Sequence, residues 1–171
     1  MTSRTIAELC RRISHGVYVV GVATPGQHNA FTAAWVMQAS FKPLLIAVSV
    51  NPLHGSYRLM RESGYFNLNV LDGEQMDIAR HFGQASRGVD KLAAVAWSKS
   101  AHGQPILENA LAYMECRLSE EMAAGDHRIV LGQVIGGALL RAEALPLLYY
   151  QTGNMDGSEA LYPDRFEAAS E

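Results

Sequence analysis

The feature that most constrains this chain is a succession of β-branched and aromatic runs divided by short turn signals. Val17-Tyr18-Val19-Val20-Gly21-Val22 precedes Pro25-Gly26, Leu44 to Val50 follows Pro43, and Tyr65 to Leu71 follows Gly64. Side chains of this kind favour extended backbone because they pack well on a pleated surface. Leu111 to Glu121 and His127 to Ile135 flank Met122-Ala123-Ala124-Gly125-Asp126, which carries hairpin residues where a hairpin needs them. Tyr65 to Leu71 alternates, with Phe66, Leu68 and Val70 on one face and Asn67 and Asn69 on the other, the pattern of a half-buried strand. Six or so strands with short connections are expected to curl into a closed or nearly closed antiparallel barrel, since closure removes exposed edges.

Helices are few and short. Thr5 and Glu8 have capping-box spacing, and Ile6, Leu9, Cys10 and Ile13 then share one face, with Arg11, Arg12 and His15 near the negative end before Gly16. His54 to Glu62 predicts a second helix, stopped by Gly64. Asp72 predicts the cap of a third, which carries Met76, Ala79 and Phe82 before Gly83. Gln84 to Gly103 has weak periodicity and reads mostly as loop, a kind of segment that is often functional.

At 171 residues, 49% hydrophobic and 18% charged, the chain has ample material for one folded domain. We expect that domain over residues 1–150, with 151–171 as a C-terminal arm lying over the surface. The net charge is −3, and no contiguous basic run exceeds Arg11-Arg12, so nucleic acid is not an expected partner. Cys10 and Cys116 form no CxxC and no zinc spacing, so no metal site is expected. The amino-terminal stretch lacks a continuous apolar segment, and no run nears the ~20 residues that span a bilayer. A soluble, cytoplasmic protein is the simplest expectation.

The chain has no GxGxxG after a strand, no GxxxxGK[ST], no HExxH and no GxSxG. Dinucleotide-fold, P-loop, zincin and serine-hydrolase chemistries therefore lack their mechanical parts. Three positions draw attention instead. Ala30 to Ser40 is rich in small residues, which suits either a ligand read by backbone groups or a strand packed tightly on a helix. Ser56 suits either a phosphate at a helix start or an ordinary cap. His127, beside Gly125-Asp126, suits either proton transfer and substrate contact or a solvated turn.

The order and spacing of several segments resemble the flavin reductase-like family. They are Asn29 to Trp35 through Ser40-Phe41-Lys42-Pro43-Leu44; Gly64 to Leu71; His81-Phe82-Gly83; Asp90-Lys91; Gly125 to Val134; and Pro146-Leu147-Leu148-Tyr149-Tyr150. The likeness covers roughly residues 10–150. It implies a mainly β fold, a split antiparallel barrel with short flanking helices that binds FMN. It also implies a NAD(P)H:flavin oxidoreductase, with FAD possible as the flavin and NADH or NADPH as hydride donor. By this resemblance Ala33, Ala34, Trp35, Val36, Met37, Ala39 and Ser40 would line the flavin ring and ribityl chain, and His54, Gly55 and Ser56 would approach the phosphate. Phe82, Gly83, Ser86 and Arg87 would cover the cofactor, and His127 would meet the nicotinamide.

Reduced flavin would pass to a partner monooxygenase or another acceptor. Trp35 is bulkier than the residue many relatives carry, and Gln151 to Met155 replaces a basic or aromatic segment. An FMN-bound electron carrier, or a flavin-binding module without nucleotide turnover, therefore stands as the alternative. The apolar stretches Leu44 to Val50 and Leu139, Leu140, Leu145, Leu147 and Leu148 exceed what one barrel easily buries, so a homodimer is expected.

Overall fold

The first strand sets the architecture, because both of its faces are apolar and both have to be covered. In the computed structural model, which describes residues 2–166, β1 (Tyr18–Thr24) turns Val20 and Val22 into one core cluster and Val19 into another. Met1 and residues 167–171, the far end of the expected arm, lie outside the described residues.

The remaining strands are β2 (Gln27–Ala33), β3 (Val36–Phe41), β4 (Leu44–Val50), β5 (Tyr65–Val70), β6 (Trp97–Lys99), β7 (Pro105–Leu107), β8 (Ala112–Ala124) and β9 (His127–Leu139). Seven of the strands form a single antiparallel sheet in the order β2-β1-β5-β8-β9-β4-β3, and β6 and β7 pair as a small separate hairpin. The sheet curls until β2 touches β4 without pairing to it, which is the split barrel that the family resemblance implies. The β8–β9 hairpin turns at Gly125-Asp126, where Gly125 holds φ 62°, a value that a Cβ would disfavour.

The first cluster fills the barrel, with Phe66, Leu68, Val48 and Val130 buried beneath α2 (Gly55–Ser63), which contributes Tyr57, Leu59 and Met60. Burial of a side chain such as Phe66 is worth about 1.5–3 kcal/mol. Gly132 stands directly against that ring, and a Cβ there would run into it. The second cluster lies on the outer face of β1, under α3 (Met76–Gly83), and includes Ala79, Phe82, Leu92, Leu107 and Leu147.

Local readings need adjustment. α1 (Ser3–Cys10) begins earlier than the Thr5–Glu8 spacing predicts, because Thr2 Oγ1 accepts the Thr5 N–H and serves as the cap, and it ends well before Gly16; α3 takes Gln75, not Asp72, as its N-cap. β5 is buried on both faces rather than half-buried. Asn67 and Asn69 are fully enclosed because the β6–β7 hairpin covers them: their amides donate to Gln104 and Pro105 carbonyls, and Asn69 Oδ1 accepts the Leu107 N–H. Polar residues enclosed by a distant hairpin cannot be told from solvent-facing ones by alternation.

The stretch expected as loop, Gln84 to Gly103, is organised by Lys91 at the head of a 3-10 turn, Lys91–Ala94. Its ammonium is buried and donates to the carbonyls of Phe82 and Gln84, both at 2.9 Å, closing the end of α3. Burial depresses its pKa. Lys91→Met keeps the apolar stem and leaves two carbonyls without a donor, so we expect a loss of about 2 kcal/mol. Calorimetry should read this as a Tm lower by about 5 °C. An unchanged Tm would assign the order of this loop to Leu92 packing alone.

Candidate functional site

The site grows from the open edge of β2. This strand ends the sheet, so alternate residues turn their N–H and C=O groups away from β1. Ala30 N–H is satisfied by Asn29 Oδ1, which places Thr32, of the same parity, with its backbone groups on the outer side. Thr32 Oγ1 donates to the Ala79 carbonyl at 2.6 Å and ties α3 to this edge. After Ala33 the chain leaves the ladder through Ala34 and Trp35, and the Trp35 carbonyl accepts the Ser49 N–H at 2.9 Å on β4. Ala33 is buried against the barrel core, whereas Ala34, just beyond the ladder, is half-buried with a short side chain.

Two adjoining chambers of about 260 and 410 Å³ lie along this edge and share Thr32, Ala34, Tyr149 and Asp156. Together they make a single elongated cleft within the size range of cofactor sites. Trp35, His54 and His127 stand in the first chamber, and Gly83, Arg80 and Met155 in the second. A smaller hollow of about 190 Å³ continues from Trp35 along Val36 and Met37.

His127 sits at the start of β9, with its ring 5.1 Å from the Trp35 ring and inclined at 52°. Its Nδ1 donates to Asp126 Oδ1 at 2.8 Å, which leaves Nε2 as the free ring nitrogen. This hydrogen bond is the main cause holding the Asp126 carboxyl below its ordinary pKa. His54 caps α2 with its backbone but makes no side-chain cap bond, so the first N–H groups of the helix remain open. Burial, and then the charge of Lys91, lower the pKa of His54, so the ring is neutral at neutral pH. Its ring lies 5.4 Å from that of Phe31. A Cβ on Gly55 would meet nothing within 4 Å, so the helix start faces open space.

The residues expected at the site therefore divide. Ala33, Ala34, Trp35, His54, Gly83 and His127 meet at the cleft, and Val36 and Met37 line its continuation. Ser56 is fully buried at the head of α2, where its hydroxyl accepts from Asn29 Nδ2 at 3.0 Å. Phe82 is buried in the second core cluster. Ala39 and Ser40 lie farther along β3, and Ser86 and Arg87 in the loop after α3; none of these four borders the cleft. Arg87 holds φ 45°, an uncommon value for a side chain of its kind.

Sequence reasoning missed the far wall. Residues after Tyr150, expected as an arm, run across the cleft and present Asp156, Ser158 and Leu161 to the first chamber and Thr152 and Met155 to the second. Tyr149 OH donates to Asp156 Oδ2 at 2.8 Å, and its pKa is pushed up to about 12, chiefly by burial. The tyrosine pair Tyr149-Tyr150 was visible as the end of a resemblance, but nothing in the sequence indicates that the chain doubles back there.

A split antiparallel barrel with a ligand-sized cleft at the open edge of one strand defines a class of small-molecule-binding domains. Residues 10–158 match the family model described as flavin reductase like domain, and the chain belongs to that family. It is 35% identical over 142 residues to diflavin flavoprotein A 1 of Synechocystis sp., a match covering 82% of this chain and 25% of the relative. The chain thus spans about a quarter of the length of such curated relatives. Among solved structures, it resembles nitrilotriacetate monooxygenase component B from Mycobacterium thermoresistibile, with TM-score 0.80 and 27% identity, covering 87% of this chain and 83% of that one. It is also similar to the NADH:FAD oxidoreductase SgcE6 of Streptomyces globisporus, with TM-score 0.79 and 27% identity, covering 86% and 88%. Among the described residues, no helix is long and apolar enough to cross a membrane.

Proposed function

We propose that the chain is an NAD(P)H-dependent flavin reductase that binds FMN, or FAD, in the cleft along β2. The observation that carries this reading is the pairing of the open strand edge at Thr32 and Ala34 with the open N-terminus of α2 on one side and the Trp35–His127 pair on another. The residues fit the group. An isoalloxazine edge is read by backbone donors and acceptors such as those turned outward at Thr32 and just beyond it at Ala34, and a phosphate suits the open helix start at Gly55. His54, neutral at neutral pH, serves there as a hydrogen-bonding group rather than as a charge.

Bound flavin supplies the acceptor for a hydride from NADH or NADPH. The protein supplies geometry: Trp35 walls the ring side of the cleft, His127 approaches the incoming nicotinamide, and Gly83 leaves room on the α3 side. Reduced flavin then passes to a partner oxygenase or another acceptor, a fate supported by the likeness to a protein named as a monooxygenase component.

Titration of FMN and FAD, followed by anaerobic mixing with NADH and NADPH, tests the reading. We expect binding in the micromolar range or tighter, about −8 kcal/mol, and rapid bleaching of the flavin by one nucleotide. Binding without bleaching would favour a flavin-bound electron carrier or a flavin-binding module. No binding at tens of micromolar protein would end the flavin reading.

The same barrel leaves Phe41, Met37, Leu139, Leu140 and Leu145 exposed, with Phe41 85% and Leu145 79% accessible. Such side chains on an edge strand and a long hairpin suit a two-fold partner, the commonest oligomer. Light scattering is expected to give about twice the 18.7 kDa chain mass. A monomeric mass at full flavin affinity would remove the dimer from the reading.

A further inference from the structure

The stretch Tyr149 to Leu161 that walls the cleft is attached to the body of the protein in an unusual way. From residue 150 to 161 no side chain is fully buried. Among the described residues, the hydrogen bonds of residues 150–161 are internal to 148–161, as in Tyr149 OH to Asp156, Ser158 N–H to Asp156 Oδ1 and Glu159 N–H to Asn154 Oδ1, except the one from Arg11, while Tyr149 at the root donates its N–H to the His15 carbonyl at 2.8 Å. Arg11, the C-cap residue of α1, donates from one terminal nitrogen to Asn154 Oδ1 at 3.3 Å and stands 3.8 Å from Glu159 Oε2. Its side chain is only 18% exposed, and its Nε is buried without a partner. An arginine enclosed in this way does more than complement a helix dipole, since burying a guanidinium is costly unless its partners are fixed.

We propose that Arg11 is a positioning residue, clamping residues 149–161 over the cleft and thereby governing how fast flavin enters and leaves. The proposal rests on the flavin reading above for its ligand, but not for its mechanics. The clamp joins α1 to the strap through Asn154 and Glu159, and the opposite side of the strap presents Asp156 and Leu161 to the chamber that holds Trp35 and His127. With the clamp removed, Met155, the internal turns and the packing of residues 158–161 on α1 are left to hold the strap beyond its root at Tyr149. Cover and cleft then separate more often, and ligand exchange quickens without any change in the residues that touch the ring.

The test uses the full chain with Arg11→Met, Asn154→Ala and Arg11→Lys. Flavin release is followed by fluorescence after rapid dilution of the FMN-loaded protein, and amide exchange of residues 150–161 is followed in the flavin-free protein. We expect Arg11→Met and Asn154→Ala to release FMN about tenfold faster, to exchange faster over 150–161 and to keep the Tm. Arg11→Lys is expected to recover part of the loss. If the wild-type chain binds FMN and the variants release it at the wild-type rate, the proposal is overturned. If the wild-type chain binds no flavin, the functional reading fails by itself, and amide exchange decides the clamp: faster exchange upholds it and equal exchange overturns it. Should Arg11→Met fail to fold, Asn154→Ala carries the same test from the strap side.

Discussion

His127→Ala is expected to lower NAD(P)H turnover about 10- to 1000-fold while flavin affinity stays nearly unchanged. The asymmetry follows from the geometry. His127 reaches the cleft from β9, beside Trp35, and not from the β2 backbone that would hold the flavin. Its Nδ1 is committed to Asp126, so Nε2 is the nitrogen available to a nicotinamide or to a proton. If this nitrogen moves a proton, the loss should lie at the upper end; if it only orients the nucleotide, the loss should appear in KM more than in kcat. Asp126→Asn then separates the roles, since it removes the charge that fixes the ring tautomer and keeps the ring. Steady-state kinetics with each nucleotide, alongside flavin titration, read both effects. Unchanged turnover in His127→Ala would return this residue to the class of solvated hairpin histidines.

Ala34→Phe is expected to weaken flavin binding by about 100-fold or more, roughly 2.7 kcal/mol, with little change in Tm. Ala34 borders both chambers of the cleft, so a ring at this position fills the space between them. Its side chain is half-buried, bordering that space while it rests on the second core cluster, so affinity and stability are read together. An overpacked core would show a stability loss of about 1–3 kcal/mol, which makes the two causes separable by calorimetry. Wild-type affinity in this variant would place the flavin elsewhere on the molecule.

Much of the fold was legible because its signals are local. The Leu44 to Val50 strand and its neighbours could be read from branched side chains, and the β8–β9 hairpin from Gly125-Asp126, since turn type depends on a few adjacent residues. The helix stop at Gly64, with φ 72°, was legible for the same reason. The small-residue run around Ala33-Ala34 and the hairpin histidine stand out as unusual positions, and the family resemblance implies a role for them. Ser56 and Phe82 illustrate the limit. The resemblance implies a cofactor contact for each, yet one is enclosed against Asn29 and the other is packed in the second core cluster.

By itself the sequence determined the strand count to within a few, the hairpin and the helix stops at Gly64 and Gly83, because periodicity and turn chemistry act over neighbouring residues. The tertiary structure alone decided the burial of Asn67 and Asn69 and the closing of the α3 loop by Lys91. It alone decided, too, that residues 149–161 wall the cleft and that Arg11 holds them there. Each of these contacts joins residues whose pairing has no period. Arg11 and Asn154 are 143 positions apart, and which distant groups meet is fixed by how the curled sheet and its helices pack rather than by any local pattern.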